Sequence, residues 1–290
     1  MTTQPDKLRA LLAKDTCYTM PCCYDGLSAR MIEQADFPLT FMSGFAVSAA
    51  RLGLPDTGLI SYGEMLDQAR NICAAVSIPV IGDGDTGYGN ALNIKRTISG
   101  YARAGMAAIM IEDQLAPKRC GHTKGKAVVA RDEAYDRIKA AVDARNEGED
   151  ILILARTDAR AGLGLSEAIT RAQKFSELGA DILFVEAPVD ESEMATICRE
   201  VPGIHMANMV EGGTTPLLSP DRLHQLGFRI AAYPLTVMSA AMNNMRHVLN
   251  DLKRGVHPQE SLMSFDDLRD IVGFNDYYDE ESRYANPRTD

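Results

Sequence analysis

Three stretches of this chain repeat one short pattern: RAGMAAIMIED (103–113), ELGADILFVEA (177–187) and QLGFRIAAYP (225–234). Each leaves a helix end, passes a glycine suited to the left-handed C-cap, and enters a short apolar run that closes on a polar residue or a turn former. An apolar run without alternation is what a strand buried on both faces requires, and such strands belong to parallel sheets. The same reading extends to eight strands: CYTMPCCYD, LTFMSG, IPVIGDGD, AAIMIED, DILILARTDA, DILFVEA, IHMANMV and FRIAAYP. Amphipathic segments such as NALNIKRTISGYARA and LSEAITRAQKFSEL separate most of them. Eight alternating strand–helix units in about 250 residues predict an α/β fold, a (β/α)8 TIM-type barrel. A doubly wound open sheet is the main alternative, and it is set aside on the reading that no G-x-G-x-x-G turn opens a helix. Residues 1–254 are expected to form the barrel. Residues 255–290, acidic and tyrosine-containing, are expected to add a C-terminal helical tail that docks on, or exchanges with, a neighbouring subunit.

A formal charge of −10 over 290 residues weighs against general nucleic-acid affinity, because phosphate neutralisation needs a basic surface. No apolar run reaches the roughly 20 residues that cross a bilayer, and the charged N-terminus lacks the apolar centre of a signal peptide. The expectation is a cytoplasmic protein with neither nucleic acid nor membrane as partner. Six cysteines at irregular spacing, with no CxxC pair, are expected to be free thiols rather than disulfides or a zinc site.

In a (β/α)8 barrel the C-terminal ends of the strands surround the active site. Here those ends supply Asp25, Ser43, Asp83 with Asp85, Glu112 with Asp113, Arg156 with Asp158, Glu186, Asn208 and Tyr233. One such acid could be a helix N-cap. Acids recurring around a ring repel one another unless a cation or protons sit among them. In GDGDTGYG (82–89), Asp83 and Asp85 stand at strand alternation, and the glycines let a ligand approach the backbone. Hard oxygen ligands suit Mg2+ or Mn2+; the plain alternative is an Asp/Gly turn before an Asx-capped helix. Glu112 at the end of the next strand favours the metal.

The loop PKRCGHTKGK (117–126) leaves strand four above these acids. Its Lys118, Arg119, His122, Lys124 and Lys126 would receive an anionic substrate and bring the Cys120 thiol toward a useful pKa. The plain alternative is a solvated basic loop with an incidental cysteine. A Schiff-base aldolase is set aside, because none of the eight strands contains a lysine.

Together these residues resemble the isocitrate lyase and phosphoenolpyruvate mutase superfamily over about Cys17 to Asn250. The resemblance rests on MSGFAVSAARLGLPDTG, GDGDTGYG, IEDQLAPKRCGHTKGKAVV, ARTDARA, FVEAP and NMVEGGTTPL. It implies a homotetrameric carbon–carbon lyase that uses Mg2+, or Mn2+ in its place, on a small di- or tricarboxylate. By the resemblance, Asp83 and Asp85 hold the metal, with Asp56 and Glu112 acting through water. Ser43, Gly44, Phe45 and Arg156 bind the 2-hydroxy carboxylate, and Gly121, His122, Glu186 and Asn208 line the remainder. Cys120 is the proton donor, with Lys118 and His122 beside it; its loop separates the carbon–carbon lyases from the phosphonate mutases. Several lyases of the family place a tyrosine near strand two, where this chain has Phe41 and Phe45, so the base is left unnamed.

Members that cleave methylisocitrate carry an arginine shortly after Tyr-Pro-Leu. Here Thr236, Met238 and Ser239 follow, and a desolvated third carboxylate without a partner is costly. The expected substrate is therefore a 2-alkylmalate of the dimethylmalate type, giving pyruvate or a related 2-oxo acid plus a monocarboxylate. Methylisocitrate cleavage and oxaloacetate hydrolysis or decarboxylation are the alternatives; a non-catalytic barrel that only binds diacids is disfavoured, because the metal-site positions and Cys120 are all present.

Overall fold

The computed structural model describes residues 2–119 and 125–284. Eight parallel strands, β1 (Tyr18–Cys23), β2 (Thr40–Met42), β3 (Val80–Asp83), β4 (Ala108–Glu112), β5 (Leu152–Thr157), β6 (Ile182–Val185), β7 (Ile204–Asn208) and β8 (Phe228–Tyr233), close into a barrel in chain order. All eight expected strands are present, each shorter than the run that announced it. Closure is made by β8 pairing with β1, Tyr18 opposite Ile230 through Pro21 opposite Tyr233. The three glycines of the repeated pattern do take left-handed backbone: Gly105, Gly179 and Gly227 have φ of 93°, 98° and 109°. A side chain there would cost roughly 1–2 kcal/mol.

The expectation that no G-x-G-x-x-G turn opens a helix holds. Gly82, Gly84 and Gly87 do stand at G-x-G-x-x-G spacing, with Gly82 inside β3 and the other two beyond its end. The helix that follows starts only at Ala91, capped by Asn90, and two aspartates occupy the turn where a pyrophosphate would need N–H donors. The spacing therefore belongs to a barrel loop and not to a dinucleotide site.

The connecting helices are α2 (Gly26–Gln34), α3 (Gly44–Leu52), α4 (Tyr62–Ala75), α5 (Ala91–Ala104), α6 (Arg131–Asn146), α7 (Ala159–Leu163), α8 (Leu165–Glu177), α9 (Glu191–Glu200) and α10 (Pro220–Leu226). A preceding α1 (Gln4–Leu12), N-capped by Thr3, sends Leu8 and Leu12 into the cluster that fills the barrel. Period-two alternation explains the unbroken apolar runs. Met110, Leu154, Phe184 and Met206 pack inside the barrel, whereas their neighbours Ile109, Ile111, Ile153, Ala155, Leu183 and Val185 pack outward with Ile98, Tyr101 and Phe175 of the helices.

The chain divides into two compact units, one ending at Met238 and the other beginning at Ser239, inside helix α11 (Thr236–Lys253). The second unit holds the rest of α11 together with α12 (Phe265–Val272) and α13 (Phe274–Ser282). The Phe274 and Tyr278 rings lie 6.0 Å apart in a tilted arrangement, and Arg269 lies over Phe274 at 5.6 Å. Leu249, Leu252, Phe265 and Tyr277 of this unit are exposed. Among the described residues, no helix is long and apolar enough to cross a membrane. Cys17, Cys22, Cys23, Cys73 and Cys198 are free thiols.

Candidate active site

The strand ends open on a pocket whose empty space, open solvent at its mouth included, is about 720 Å³. Its floor is the uppermost interior layer of the barrel: Cys22, Phe41, Met110, Phe184 and Met206. Two residues further along their strands stand Ser43, Glu112, Glu186 and Asn208, so the same alternation that fills the barrel raises a polar rim above an apolar floor.

Asp83 closes β3 and is fixed on three sides. Its Oδ2 accepts the Gly44 N–H at 3.2 Å, its Oδ1 accepts the Asp85 N–H at 3.0 Å, and its carbonyl accepts the Tyr101 hydroxyl at 2.8 Å. Burial raises the Asp83 pKa, Lys118 opposes this, and Asp85 adds to it. Asp85 does not continue the strand alternation. Its φ of 49° turns the chain, and its carbonyl accepts the Glu112 N–H at 2.9 Å, tying β3 to β4. Lys118 reaches back from the loop after β4 with its Nζ 2.7 Å from Asp56 Oδ1 and 2.6 Å from Asp85 Oδ1. Burial alone would lower the lysine pKa, but Asp85, Asp83, Asp56 and Glu112 raise it well above its ordinary value. A lysine therefore does enter the pocket, from a loop and not from a strand, and it is an ammonium ion unsuited to imine formation.

Arg156 is the second buried cation. Its Nε lies 2.8 Å from Asp158 Oδ2 and 3.2 Å from Glu112 Oε2, its Nη2 lies 3.7 Å from Glu186 Oε2, and its guanidinium rests 5.2 Å from the Phe184 ring centre. Burial pushes the Asp158 carboxyl up, but Arg156 and Lys126 together hold it at about 2. Lys126, expected to lend positive potential to the pocket, instead contacts Asp158 at 2.7 Å. Beneath them Asp113 accepts the Thr157 hydroxyl at 2.7 Å, the Asp158 N–H at 2.9 Å and Arg171 at 3.0 Å. Glu112 is pushed well above the usual carboxylate range by burial, with Arg156 pulling against it.

Of the residues expected at this site, Asp56, Asp83, Glu112, Lys118, Arg156, Ser43, Phe45 and Asn208 line the pocket. Asp85 joins it through Lys118, and Glu186 lies within 3.4 and 3.5 Å of the Asn208 amide nitrogen. Ser43 caps α3, its Oγ accepting the Ala46 N–H at 3.3 Å, and Gly44 spends its N–H on Asp83. Asp25 is the N-cap of α2 in a full capping box, the plain reading of a strand-end acid. Cys120, Gly121 and His122 lie outside the described residues. The Lys126–Asp158 pair and the floor residues were missed by sequence reasoning; the floor was reachable by stepping two residues back from each rim residue.

The Gly44 contact carries a prediction. A Cβ at this position would stand 2.4 Å from Asp83 Oδ2, so Gly44→Ala must displace that carboxylate. We expect kcat/KM to fall about 100-fold with the thermal midpoint largely retained, since small misplacements at a reacting centre cost that much. Steady-state kinetics beside a melting curve check it.

The donor set fits a hard divalent cation. Glu112 Oε1 is buried without a hydrogen-bond partner, and Asp56 Oδ1 and Asp85 Oδ1 receive no directed hydrogen bond although Lys118 is close to both. Among the described residues no three of His, Cys, Asp and Glu form a closed ligand set. Mg2+ usually takes one or two carboxylates and completes its octahedron with water and substrate, which such a spread set allows.

The phosphoenolpyruvate phosphomutase family model matches residues 8–253. The chain belongs to the PEP mutase/isocitrate lyase superfamily. A 2,3-dimethylmalate lyase of Eubacterium barkeri is 40% identical over 285 residues, 97% of this chain and 98% of that protein. The chloroplastic carboxyvinyl-carboxyphosphonate phosphorylmutase of Arabidopsis thaliana is 41% identical over 97% of this chain and 85% of its own. Among solved structures, an oxaloacetate acetylhydrolase in complex with 3,3-difluorooxalacetate superposes with a TM-score of 0.93 at 34% identity, covering 98% of this chain and 97% of that one. A phosphonopyruvate hydrolase complex with oxalate and Mg2+ gives 0.85 at 30% identity, covering 97% and 99%. The superfamily is one of enzymes, and this chain is a member over its whole barrel.

Proposed function

We propose that this chain is a Mg2+-dependent carbon–carbon lyase that cleaves a 2-alkylmalate-type dicarboxylate, 2,3-dimethylmalate or a near analogue, into pyruvate or a related 2-oxo acid and a monocarboxylate. The observation that carries the reading is the pairing of buried cations, Lys118 and Arg156, and buried acids, Asp83 and Glu112, with an apolar floor. The floor suits alkyl substituents. Among the described residues the cations lining the pocket are Lys118, Arg119 and Arg156, and a third carboxylate would compete for groups already engaged.

Asp83 and Asp85 would hold the ion, with Asp56 and Glu112 behind them. When bound, the ion supplies Lewis-acid stabilisation of the developing negative charge on the 2-hydroxy carboxylate end of the substrate. Arg156 orients that carboxylate, backed by Asp158, while Phe41 and Phe184 keep water from the scissile bond. The 2-hydroxyl proton passes to a general base to which no residue is assigned, C2 becomes a carbonyl carbon, and the C2–C3 electron pair passes to C3. The Cys120 thiol then protonates C3, completing the carboxylate product. Oxaloacetate hydrolysis is the second reading, favoured by the oxaloacetate acetylhydrolase likeness. It needs a pocket residue to position water, and Pro234 on the pocket wall offers no hydroxyl. In assembly we propose a cytoplasmic homotetramer in which the exposed apolar residues after Ser239 contact a neighbouring copy.

A pyruvate-coupled assay with Mg2+ on 2,3-dimethylmalate and 2-methylisocitrate, beside direct detection of oxalate and pyruvate from oxaloacetate, tests the reading. Dimethylmalate is expected to turn over fastest, with loss of activity in chelator and in Cys120→Ser. Faster cleavage of methylisocitrate overturns the substrate, and undiminished activity in Cys120→Ser overturns the proton donor.

A further inference from the structure

Gln114, two residues beyond the end of β4, is buried at 1% exposure, and its side-chain amide faces the loop that follows. The amide is spent on backbone: Oε1 accepts the Arg119 N–H at 2.9 Å, and Nε2 donates to the Arg119 carbonyl at 2.9 Å. This is the double bond pattern of a ladder pair, made by a side chain. The Gln114 backbone is itself fixed. It bridges Val128 in antiparallel fashion, Leu115 N donates to Ala127 O at 2.8 Å, and the Arg137 guanidinium donates to the carbonyls of Glu112 and Gln114 at 3.1 and 2.8 Å. The clasp thus ties residue 119 to the rigid end of β4, and Lys118 is the residue held inside it. Its ammonium meets Asp56 and Asp85 at 2.7 and 2.6 Å.

We infer that Gln114 is a positioning residue, acting through the backbone of Arg119 to fix the Lys118 ammonium between Asp56 and Asp85. A flexible lysine loses rotamer freedom to hold two contacts. That loss is small only if the turn carrying it is already rigid. Satisfying both backbone groups of Arg119 also removes the cost of burying them unpaired, which would otherwise favour other turn geometries. The inference rests on the proposed lyase reading for its turnover readout alone.

The test uses the full chain with Gln114→Met, which keeps length and loses both bonds, and Gln114→Glu, which keeps an acceptor for the Arg119 N–H and loses the donor. Brief acetylation with acetic anhydride, read by peptide mass spectrometry, reports Lys118 against the exposed Lys139. In the parent Lys118 should label far more slowly than Lys139. In Gln114→Met its labelling should rise at least about tenfold relative to Lys139, as expected for loss of hydrogen bonds worth about 1 kcal/mol each. kcat/KM should fall by a similar factor with the thermal midpoint little changed, and Gln114→Glu should lie between. Unchanged Lys118 protection in Gln114→Met, or equal rises at Lys118 and Lys139, overturns the inference. If Gln114→Met does not fold, the same ratio in Gln114→Glu decides. If no dicarboxylate is cleaved by the parent, the labelling ratio still decides, and only the functional reading falls.

Discussion

Arg156→Met is expected to lose about 3–5 kcal/mol of folding stability, the usual cost of leaving buried charges without their partner. Three carboxylates depend on this guanidinium: Asp158 in a two-point contact, Glu112 at 3.2 Å and Glu186 at 3.7 Å. Lys126 remains for Asp158, whereas Glu112 and Glu186 lose the guanidinium that faces them. Turnover should fall at least about 100-fold, the effect of removing one preorganised electrostatic partner. The pH dependence follows with a definite sign. Asp158 is held at about 2 against an ordinary 3.8, so its contribution is full above pH 4 and is lost as pH falls toward 2. With Arg156 gone, the Asp158 pKa rises toward its unfolded value and that acid-side loss becomes shallower. Urea unfolding of parent and variant from pH 7.5 down to 3 measures both effects. In Arg156→Met/Glu112→Gln, stability should be partly recovered, because the second change removes a buried carboxylate that has lost its guanidinium. A stability loss under 1 kcal/mol in the single variant would show that these acids do not depend on Arg156.

The barrel was legible in the chain because its strands are buried on both faces: neither the Met110 side nor the Ile109 and Ile111 side of β4 can be polar, so the run announces itself. The glycines at 105, 179 and 227 were legible for a related reason, each standing where the backbone needs positive φ. The rim acids were legible because Asp83 and Glu112 end strands. What could not be read is how charges were shared. Sequence spacing could not tell that Lys126 belongs to Asp158, 32 residues away, or that Asp113 supports β5 through Thr157 and Arg171. Nor could it tell Asp25, a helix cap, from Asp83, a pocket acid, since both end a strand and open a connection. Pairings across the barrel are set by loop paths, and Lys118 enters the site because Gln114 bends its loop back, which no local periodicity records.

Lys118→Met is expected to become far more dependent on a divalent cation for its stability than the parent. In the parent the ammonium sits among Asp56, Asp85, Asp83 and Glu112, and those acids in turn raise its pKa. Without it, in chelator, mutual repulsion of buried carboxylates should lower the thermal midpoint by roughly 10 °C, taking a buried-pair loss of 3–5 kcal/mol in a domain of this size. Added Mg2+ should restore most of that, since an ion that binds the folded state alone stabilises it by mass action. The parent, whose acids are already neutralised in part, should gain only a few degrees. Turnover should nevertheless stay about 100- to 1,000-fold down in saturating Mg2+, because the ammonium's field at the reacting carboxylate is not replaced by restoring the fold. Melting curves of both proteins across a Mg2+ titration, with kinetics at each end, separate these effects. Equal Mg2+-induced shifts in parent and variant would mean that the ammonium and the ion draw on different carboxylates. The assignment of Asp56 and Asp85 to the metal would then fall, while the lysine's contact with them stood.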